Sequence, residues 1–166
     1  MKRGEFGTGR FPAKRKSGCE LTGTKCPGNS APVIKGLWNY AVKVEDLRSA
    51  TEFYVSQLGG EVRIKGEVLG SQYVLLRLGT TRVILFDRAP YENQLKLNLP
   101  VGFLHLVFEV DDFDAQLEVL RRKAVKFLME PCIIEGEFGR RKIAFFETPE
   151  KIRTEIMQVL EDTGRA

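Results

Sequence analysis

No apolar run in this 166-residue chain approaches the roughly 20 residues that a membrane-spanning helix needs. Lys2, Arg3 and Glu5 stand where a secretory signal would place its apolar stretch, so a cytoplasmic protein without a membrane partner is expected. Cysteine is scarce: Cys19, Cys26 and Cys132 make an odd number, and the first two are too far apart for the usual C-x2–4-C zinc pair. Free thiols are expected rather than a disulfide framework. Histidine is scarcer still, with His105 alone.

The formal net charge of +4 would suit a nucleic-acid partner, but it is unevenly spread. Residues 1–32 hold seven Lys/Arg against two Glu, whereas the remainder carries 19 basic and 20 acidic residues. A nearly neutral body has no electrostatic footing for nucleic acid. The first 32 residues are rich in Gly, Lys, Ser, Thr and Pro and show neither hydrophobic period. They read as a flexible basic tail, unable to bury enough apolar surface to offset its ordering entropy.

From Gly36 the pattern alternates, with Trp38, Tyr40, Val42 and Val44 on one side and Leu37, Asn39, Ala41 and Lys43 on the other, as in a half-buried strand. Asp46 then caps a helix with Leu47, Ala50, Phe53, Tyr54 and Leu58 on one face, and Gly59-Gly60 supplies its left-handed stop. Strands are expected at Glu61–Val68, Gln72–Leu78 and Thr81–Asp87, punctuated by Gly70-Ser71 and Gly79-Thr80. After a proline-containing connector over 88–101 the order begins again. A strand Phe103–Val110 leads to a helix capped by Asp112, with Phe113, Leu117 and Leu120 inward and cations in its last turn. Strands at Val125–Met129, Lys142–Glu147 and Arg153–Leu160 complete the unit. Val44-Glu45-Asp46-Leu47 lies over Val110-Asp111-Asp112-Phe113, so the body, 36–161, reads as a duplication with halves 36–88 and 102–161 and a C-terminal tail 162–166.

This registration sets Asn39 against His105, and Leu85 opposite Glu155, or Ile84 after a one-residue slip. Leu104, Leu106, Phe108 and Val110 form an apolar face suited to helices, with His105 on the other face beside Phe103, Val107 and Glu109. If each half curls with its helix outside, His105 and Glu155 project into one concave cavity. There an imidazole and a carboxylate can share a divalent ion, or the carboxylate can act as a general base. The bland alternatives are a core histidine bonded to a neighbour and a solvated carboxylate on an edge strand. The segment 132–142, with Gly136 and Gly139, reads as a mobile loop over the pocket, in which Arg140 and Arg141 offer cations to a substrate carboxylate or phosphate.

Three stretches together carry a family resemblance: Asn39-Tyr40-Ala41-Val42-Lys43-Val44-Glu45-Asp46-Leu47 with Phe53-Tyr54 and Leu58-Gly59; His105-Leu106-Val107-Phe108-Glu109-Val110-Asp111-Asp112; and Ala144-Phe145-Phe146-Glu147-Thr148-Pro149-Glu150 with Thr154-Glu155-Ile156. Over residues 36–161 the chain resembles the vicinal-oxygen-chelate superfamily of glyoxalase I, methylmalonyl-CoA epimerase, extradiol dioxygenases, and fosfomycin and bleomycin resistance proteins. The resemblance implies an α+β fold of two βαβββ repeats, forming a curled, mixed β-sheet around a central cavity with helices outside. It also implies a divalent metal (Mn, Mg, Zn, Ni or Fe) held at four positions. His105 and Glu155 match the second-half ligands; Asn39 stands where a histidine is usual, and Leu85 where a Glu, Gln or His is usual, so two of four ligand positions are missing.

Three states of the site stay open. Asn39, His105 and Glu155 with waters can hold a harder ion such as Mg2+ or Mn2+ weakly. Asp87 can replace Leu85 if the strand is shifted or bulged. Otherwise the pocket works without metal, as a binding cavity or as an acid/base pair of Glu155 and His105. Two functions follow. One is a glyoxalase-like lyase or isomerase acting on a small-molecule substrate by proton abstraction next to a carbonyl. The other is a metal-free binding or sequestering protein of the bleomycin-resistance type, with aromatic side chains holding a planar ligand. A dioxygenase is disfavoured, because its iron needs two histidines and a carboxylate and Asn39 takes one histidine position. The resemblance further implies a homodimer.

Overall fold

Asp46 and Asp112 set the two helices as their positions predict. The Asp46 carboxylate accepts from the Ser49 amide at 2.6 Å and starts α1 (Leu47–Leu58), which Gly59 ends in the left-handed region at φ 66°. The Asp112 carboxylate accepts from Ala115 N at 3.0 Å and starts α3 (Phe113–Arg122), whose last turn carries Arg121 and Arg122 against the negative helix end. This computed structural model describes residues 33–166; the expected tail over 1–32, with Cys19 and Cys26, lies outside the described residues. Around the helices run β1 (Ile34–Lys43), β2 (Glu61–Val68), β3 (Ser71–Leu78), β4 (Thr81–Phe86), β5 (Gly102–Val110), β6 (Cys132–Gly136), β7 (Gly139–Glu147) and β8 (Arg153–Asp162), with a short α2 (Glu92–Leu95) between the halves.

The strands form one eight-stranded sheet in the order β2-β3-β4-β1-β5-β8-β7-β6. Within each half the first strand pairs parallel with the last, β1 with β4 and β5 with β8, and the halves meet through antiparallel β1 and β5. The expected duplicated α+β architecture is therefore the observed one. Leu47, Ala50 and Tyr54 of α1 pack over Val74, Leu76 and Leu85. Phe53 and Leu58 are exposed instead of joining that face, because a helix on a curved sheet touches along a narrow stripe. In the second half Phe113 and Leu117 of α3 pack on Val110, Ala144 and Ile156.

Simple alternation fails at three register shifts in β1–β5, at Ile34/Gly36, Leu37/Asn39 and Ala41/Val42, and the last two bear on the site. Between Leu37 and Asn39 the register shifts, so Trp38 is extra on its strand and both Trp38 and Asn39 reach the inner face. Between Ala41 and Val42 the partner jumps from His105 to Phe103. Leu104 therefore packs in the inner cluster with Ala41, Val107 and Phe145 rather than under a helix. The expected strand Val125–Met129 amounts to one bridge, Phe127 to Phe146. Its place is taken by β6, which pairs with β7 over five positions, so 132–142 is a β-hairpin rather than a loop. Gly139 serves the turn at φ 97°, where a Cβ would collide with the Glu161 carbonyl.

The connector between the halves is held by a buried ion pair that no local pattern predicts. Lys43 Nζ donates to Glu92 Oε1 at 2.9 Å, to Asn98 Oδ1 at 3.0 Å and to the Leu99 carbonyl at 2.7 Å. Glu92 Oε1 also accepts from Leu99 N at 2.9 Å. Buried charges persist when each is paired and its remaining hydrogen-bond capacity is filled, as here. Glu92 opens α2, so the pair fixes the preceding Tyr91, which is fully buried. Lys43→Met should leave Glu92 buried without its cation and lower stability by about 3–5 kcal/mol, read from the urea midpoint; an unchanged midpoint would show that the pair does not hold the connector.

Candidate active site

His105 comes from β5 and Glu155 from β8, and both are almost wholly buried. His105 Nε2 lies 3.3 Å from Glu155 Oε2. The other ring nitrogen, Nδ1, lies 3.2 Å from the Tyr91 hydroxyl, which is also 3.4 Å from the Leu104 carbonyl. Phe145 and Tyr91 pack on the imidazole at ring-centre distances of 5.0 and 5.6 Å.

These contacts permit two proton arrangements. When Tyr91 donates to the Leu104 carbonyl, Nδ1–H donates to Tyr91 and a bare Nε2 accepts a proton from the Glu155 carboxyl. When Tyr91 donates to Nδ1, Nε2–H donates to the carboxylate. Burial holds the Tyr91 phenol above its ordinary pKa, so it remains a donor. Burial also pushes the Glu155 carboxyl up, against an opposing pull from the His105 hydrogen bond. A carboxyl so placed takes up a proton more readily than one in water.

The pair opens on a cavity whose wall is mostly apolar and aromatic, with Trp38, Tyr73, Phe86, Phe138 and Phe145 among its lining. Asn39 belongs to the same wall, and its Nδ2 is buried with no hydrogen-bond partner among the described residues. The sheet register decides the fourth position. Ala41 stands beside Ile84 in β1–β4, as Val107 stands beside Glu155 in β5–β8, and Asn39 pairs with Val107 as Ala41 pairs with His105. By this internal two-fold, Ile84 occupies the place equivalent to Glu155. Ile84 lines the cavity, whereas Leu85 is buried under α1. Asp87 cannot replace it: it shares the face of Leu85, is exposed, and accepts from Gln72 N at 3.0 Å.

A divalent ion at these four positions would meet one imidazole, one carboxylate, one amide and one isoleucine. Among the described residues no three His, Cys, Asp or Glu side chains are grouped to hold an ion. An amide oxygen suits imidazole-preferring metals poorly and an alkyl group does not ligate, so the donor set does not fit the four-ligand ion of the expected family site.

Of the two expected substrate cations, one reaches the cavity. Arg141 is buried in its wall. Arg140 is turned to the outer side, donating to Glu161 Oε1 at 2.6 Å. Tyr73, Tyr91 and Trp38 were not expected at the site. Tyr73 could have been found by extending the cavity-facing alternation along β3; Tyr91 sits in an aperiodic connector and Trp38 on a bulge, where no period points inward.

Comparison with known proteins identifies the family and supports the fold. The profile of the Glyoxalase/Bleomycin resistance protein/Dioxygenase superfamily matches residues 37–156. The mitochondrial methylmalonyl-CoA epimerase of Bos taurus is 31% identical over 147 residues, covering 80% of this chain and 81% of that protein. Its Mus musculus counterpart is 33% identical over 122 residues, covering 67% of this chain and 66% of the mouse protein. A crystallised methylmalonyl-CoA epimerase in complex with methylmalonyl-CoA and NH4+ has a TM-score of 0.61 at 25% identity, covering 78% of this chain and 98% of its own. A variant of the Streptomyces coelicolor methylmalonyl-CoA epimerase in complex with 2-nitronate-propionyl-CoA has a TM-score of 0.60 at 25% identity, covering 78% and 100%.

Two outcomes follow from the site. Installing Asn39→His together with Ile84→Glu should turn the cavity into a site for Mn2+, Ni2+ or Zn2+ in calorimetric titration, with binding at least about tenfold tighter than in the parent; no gain would show that the first-half strands do not present these positions to His105. Because burial raises the folded-state pKa of Glu155 above its unfolded value, the folded state favours the protonated carboxyl, and stability drops as pH rises through that raised pKa. Glu155→Gln should therefore gain stability relative to the parent as pH rises from about 4 to 8, seen in urea midpoints; parallel pH profiles would rule out the raised pKa.

Proposed function

The chain belongs to the Glyoxalase/Bleomycin resistance protein/Dioxygenase superfamily, and from that premise we propose that it is an isomerase moving a proton next to a carbonyl of a small molecule, without a resident metal. The observation that carries this reading is the 3.3 Å contact between His105 Nε2 and Glu155 Oε2 at the wall of a largely apolar cavity. The curated relatives are methylmalonyl-CoA epimerases, which supports an isomerase over a lyase. Methylmalonyl-CoA is accordingly the first substrate to try.

In this reading Glu155 takes the proton from the carbon beside the carbonyl. The electron pair of the broken C–H bond moves onto the carbonyl oxygen. Asn39 Nδ2, buried without a partner among the described residues, donates to the developing oxyanion. A carboxylate with a raised pKa is the stronger base, and His105 keeps the transferred proton within the buried pair. The oxyanion's electron pair then re-forms the carbonyl as the carbon takes a proton from water on the opposite face, and Glu155 releases its proton to solvent, which completes the isomerisation.

The aromatic lining favours one second reading, a binding protein that holds a planar ligand between Trp38, Phe86 and Phe138. Deuterium uptake from D2O at the carbon next to the carbonyl of methylmalonyl-CoA separates the two. The isomerase reading requires uptake faster than in buffer and insensitive to chelator, with loss in Glu155→Gln and a fall of about a hundredfold in Asn39→Ala. Uptake no faster than in buffer, with tight binding of a planar aromatic probe, would replace the isomerase by the binder.

A further inference from the structure

Three cavity-lining side chains carry buried polar atoms without a hydrogen-bond partner among the described residues: Asn39 Nδ2, the Tyr73 hydroxyl and Arg141 Nη2. The proposed proton transfer uses only the first. Tyr73 and Arg141 flank the Phe138 ring, Tyr73 with ring centres 5.8 Å apart and Arg141 with its guanidinium carbon 5.5 Å from the ring centre. Each is 2% exposed.

The surroundings of Arg141 show which of its donors are in use. Nη1 donates to the Arg140 carbonyl at 3.0 Å and to the Glu161 carbonyl. Nη2 faces Asp162 Oδ2 at 3.5 Å, an ion pair on the rim too long to be counted as its hydrogen bond. Burial pushes the guanidinium below its ordinary pKa, with Asp162 and Glu109 opposing. Tyr73 reaches its place because β2 has a glycine opposite: a Cβ on Gly66 would sit 3.0 Å from the hydroxyl. Burial pushes the phenol up to about 12, so it presents a proton rather than a charge.

We infer that Tyr73 and Arg141 form an anion subsite that binds a carboxylate at the far end of the substrate from the reacting carbon. Two free donors, one of them cationic, provide a charge-assisted pair of hydrogen bonds in a dry wall. The charge of this single guanidinium is already partly offset by Asp162 on the rim, so a phosphate dianion is disfavoured and a carboxylate monoanion is the anion that fits. The strands set the spacing. Arg141, Ile143 and Phe145 alternate onto the cavity face of β7, and Phe145 pairs with Glu155. The Cα atoms of Arg141 and Phe145 are therefore roughly 13 Å apart, and the inward reach of the side chains leaves room for an apolar spacer of several carbons. The substrate class is thus a carbonyl compound with a terminal carboxylate beyond that spacer, and methylmalonyl-CoA, whose carboxylate sits on the reacting carbon, serves as a probe of the reacting end alone. This inference rests on the isomerase reading for the reacting end, but the subsite can be tested without turnover.

Hexanoate and its neutral analogue hexanamide are the probes, titrated calorimetrically into the full chain. Hexanoate should bind more tightly than hexanamide by about tenfold or more. Arg141→Met and Tyr73→Phe should each remove most of that preference and leave hexanamide unchanged. Glu155→Gln should keep it, which separates this subsite from the base. Equal affinity for the two probes in the parent, or a preference that survives Tyr73→Phe and Arg141→Met, would overturn the subsite. Should Arg141→Met fail to fold, the parent's preference and Tyr73→Phe decide. Deuterium uptake with methylmalonyl-CoA but no hexanoate preference would sink the subsite and leave the isomerase standing.

Discussion

The antiparallel meeting of β1 and β5 is the contact on which the site depends. Asn39 pairs with Val107 and Ala41 with His105, so the internal two-fold passes between these pairs and brings Asn39 and His105 to one cavity. A slip of one residue would turn every side chain of one strand to the other face. The register is protected from such a slip by burial on the inner side, where Ala41, Leu104 and Val107 share a cluster with Phe145 and Met157. It is also protected by the anchoring of Lys43, the last residue of β1, to Glu92 and Leu99. The connector and the seam are thus one mechanical unit, and Tyr91 behind His105 is its consequence for chemistry.

Local signals reported the fold well. Asp46, Gly59 and Asp112 marked helix ends because capping is decided within three or four residues, and the repeated strand-to-helix junction located both halves. His105 and Glu155 were legible because strand alternation and the repeat pointed to the same cavity, and they lie 3.3 Å apart in it. Ile84 and Leu85 could not be separated, since both are apolar and a repeat offset of one residue leaves hydropathy unchanged; only the pairing of Ala41 with Ile84 separates them. Trp38 and Leu104 were misassigned because a bulge changes facing without changing composition. Lys43 and Glu92 are 49 positions apart, beyond any period. For the β6 hairpin, glycines and cations suggested a loop, and the strand depends on a partner, β7, whose extent the sequence did not mark.

The buried charged groups divide by how fully they are satisfied. Lys43 makes three hydrogen bonds and its partner Glu92 accepts two, which is the pattern of a closed structural network. Among the described residues Arg141 Nη2 has no hydrogen-bond partner, and Glu155 has its carboxyl pushed up by burial with a single histidine contact to oppose it. Leaving such groups incompletely bonded costs stability, and in the proposed reading a bound molecule completes the bonding. The same low-dielectric wall that raises the Glu155 pKa strengthens any hydrogen bond a ligand makes there.

Duplication of the fold has not kept the two halves chemically equal. The second half supplies His105, Arg141 and Glu155 to the cavity, from β5, β7 and β8, while the equivalent closing position in the first half is Ile84. Four donors arranged about the two-fold need both halves to contribute alike, and an ion at the axis is the ligand that such symmetry serves. With isoleucine at its closing position, the first half gives the cavity the neutral donors Asn39 and Tyr73, while both charged side chains of the described lining, Arg141 and Glu155, come from the second half. In the proposed reading such a cavity orients an elongated molecule rather than caging an ion, and Glu155, Asn39 and Arg141 are points along a single bound chain.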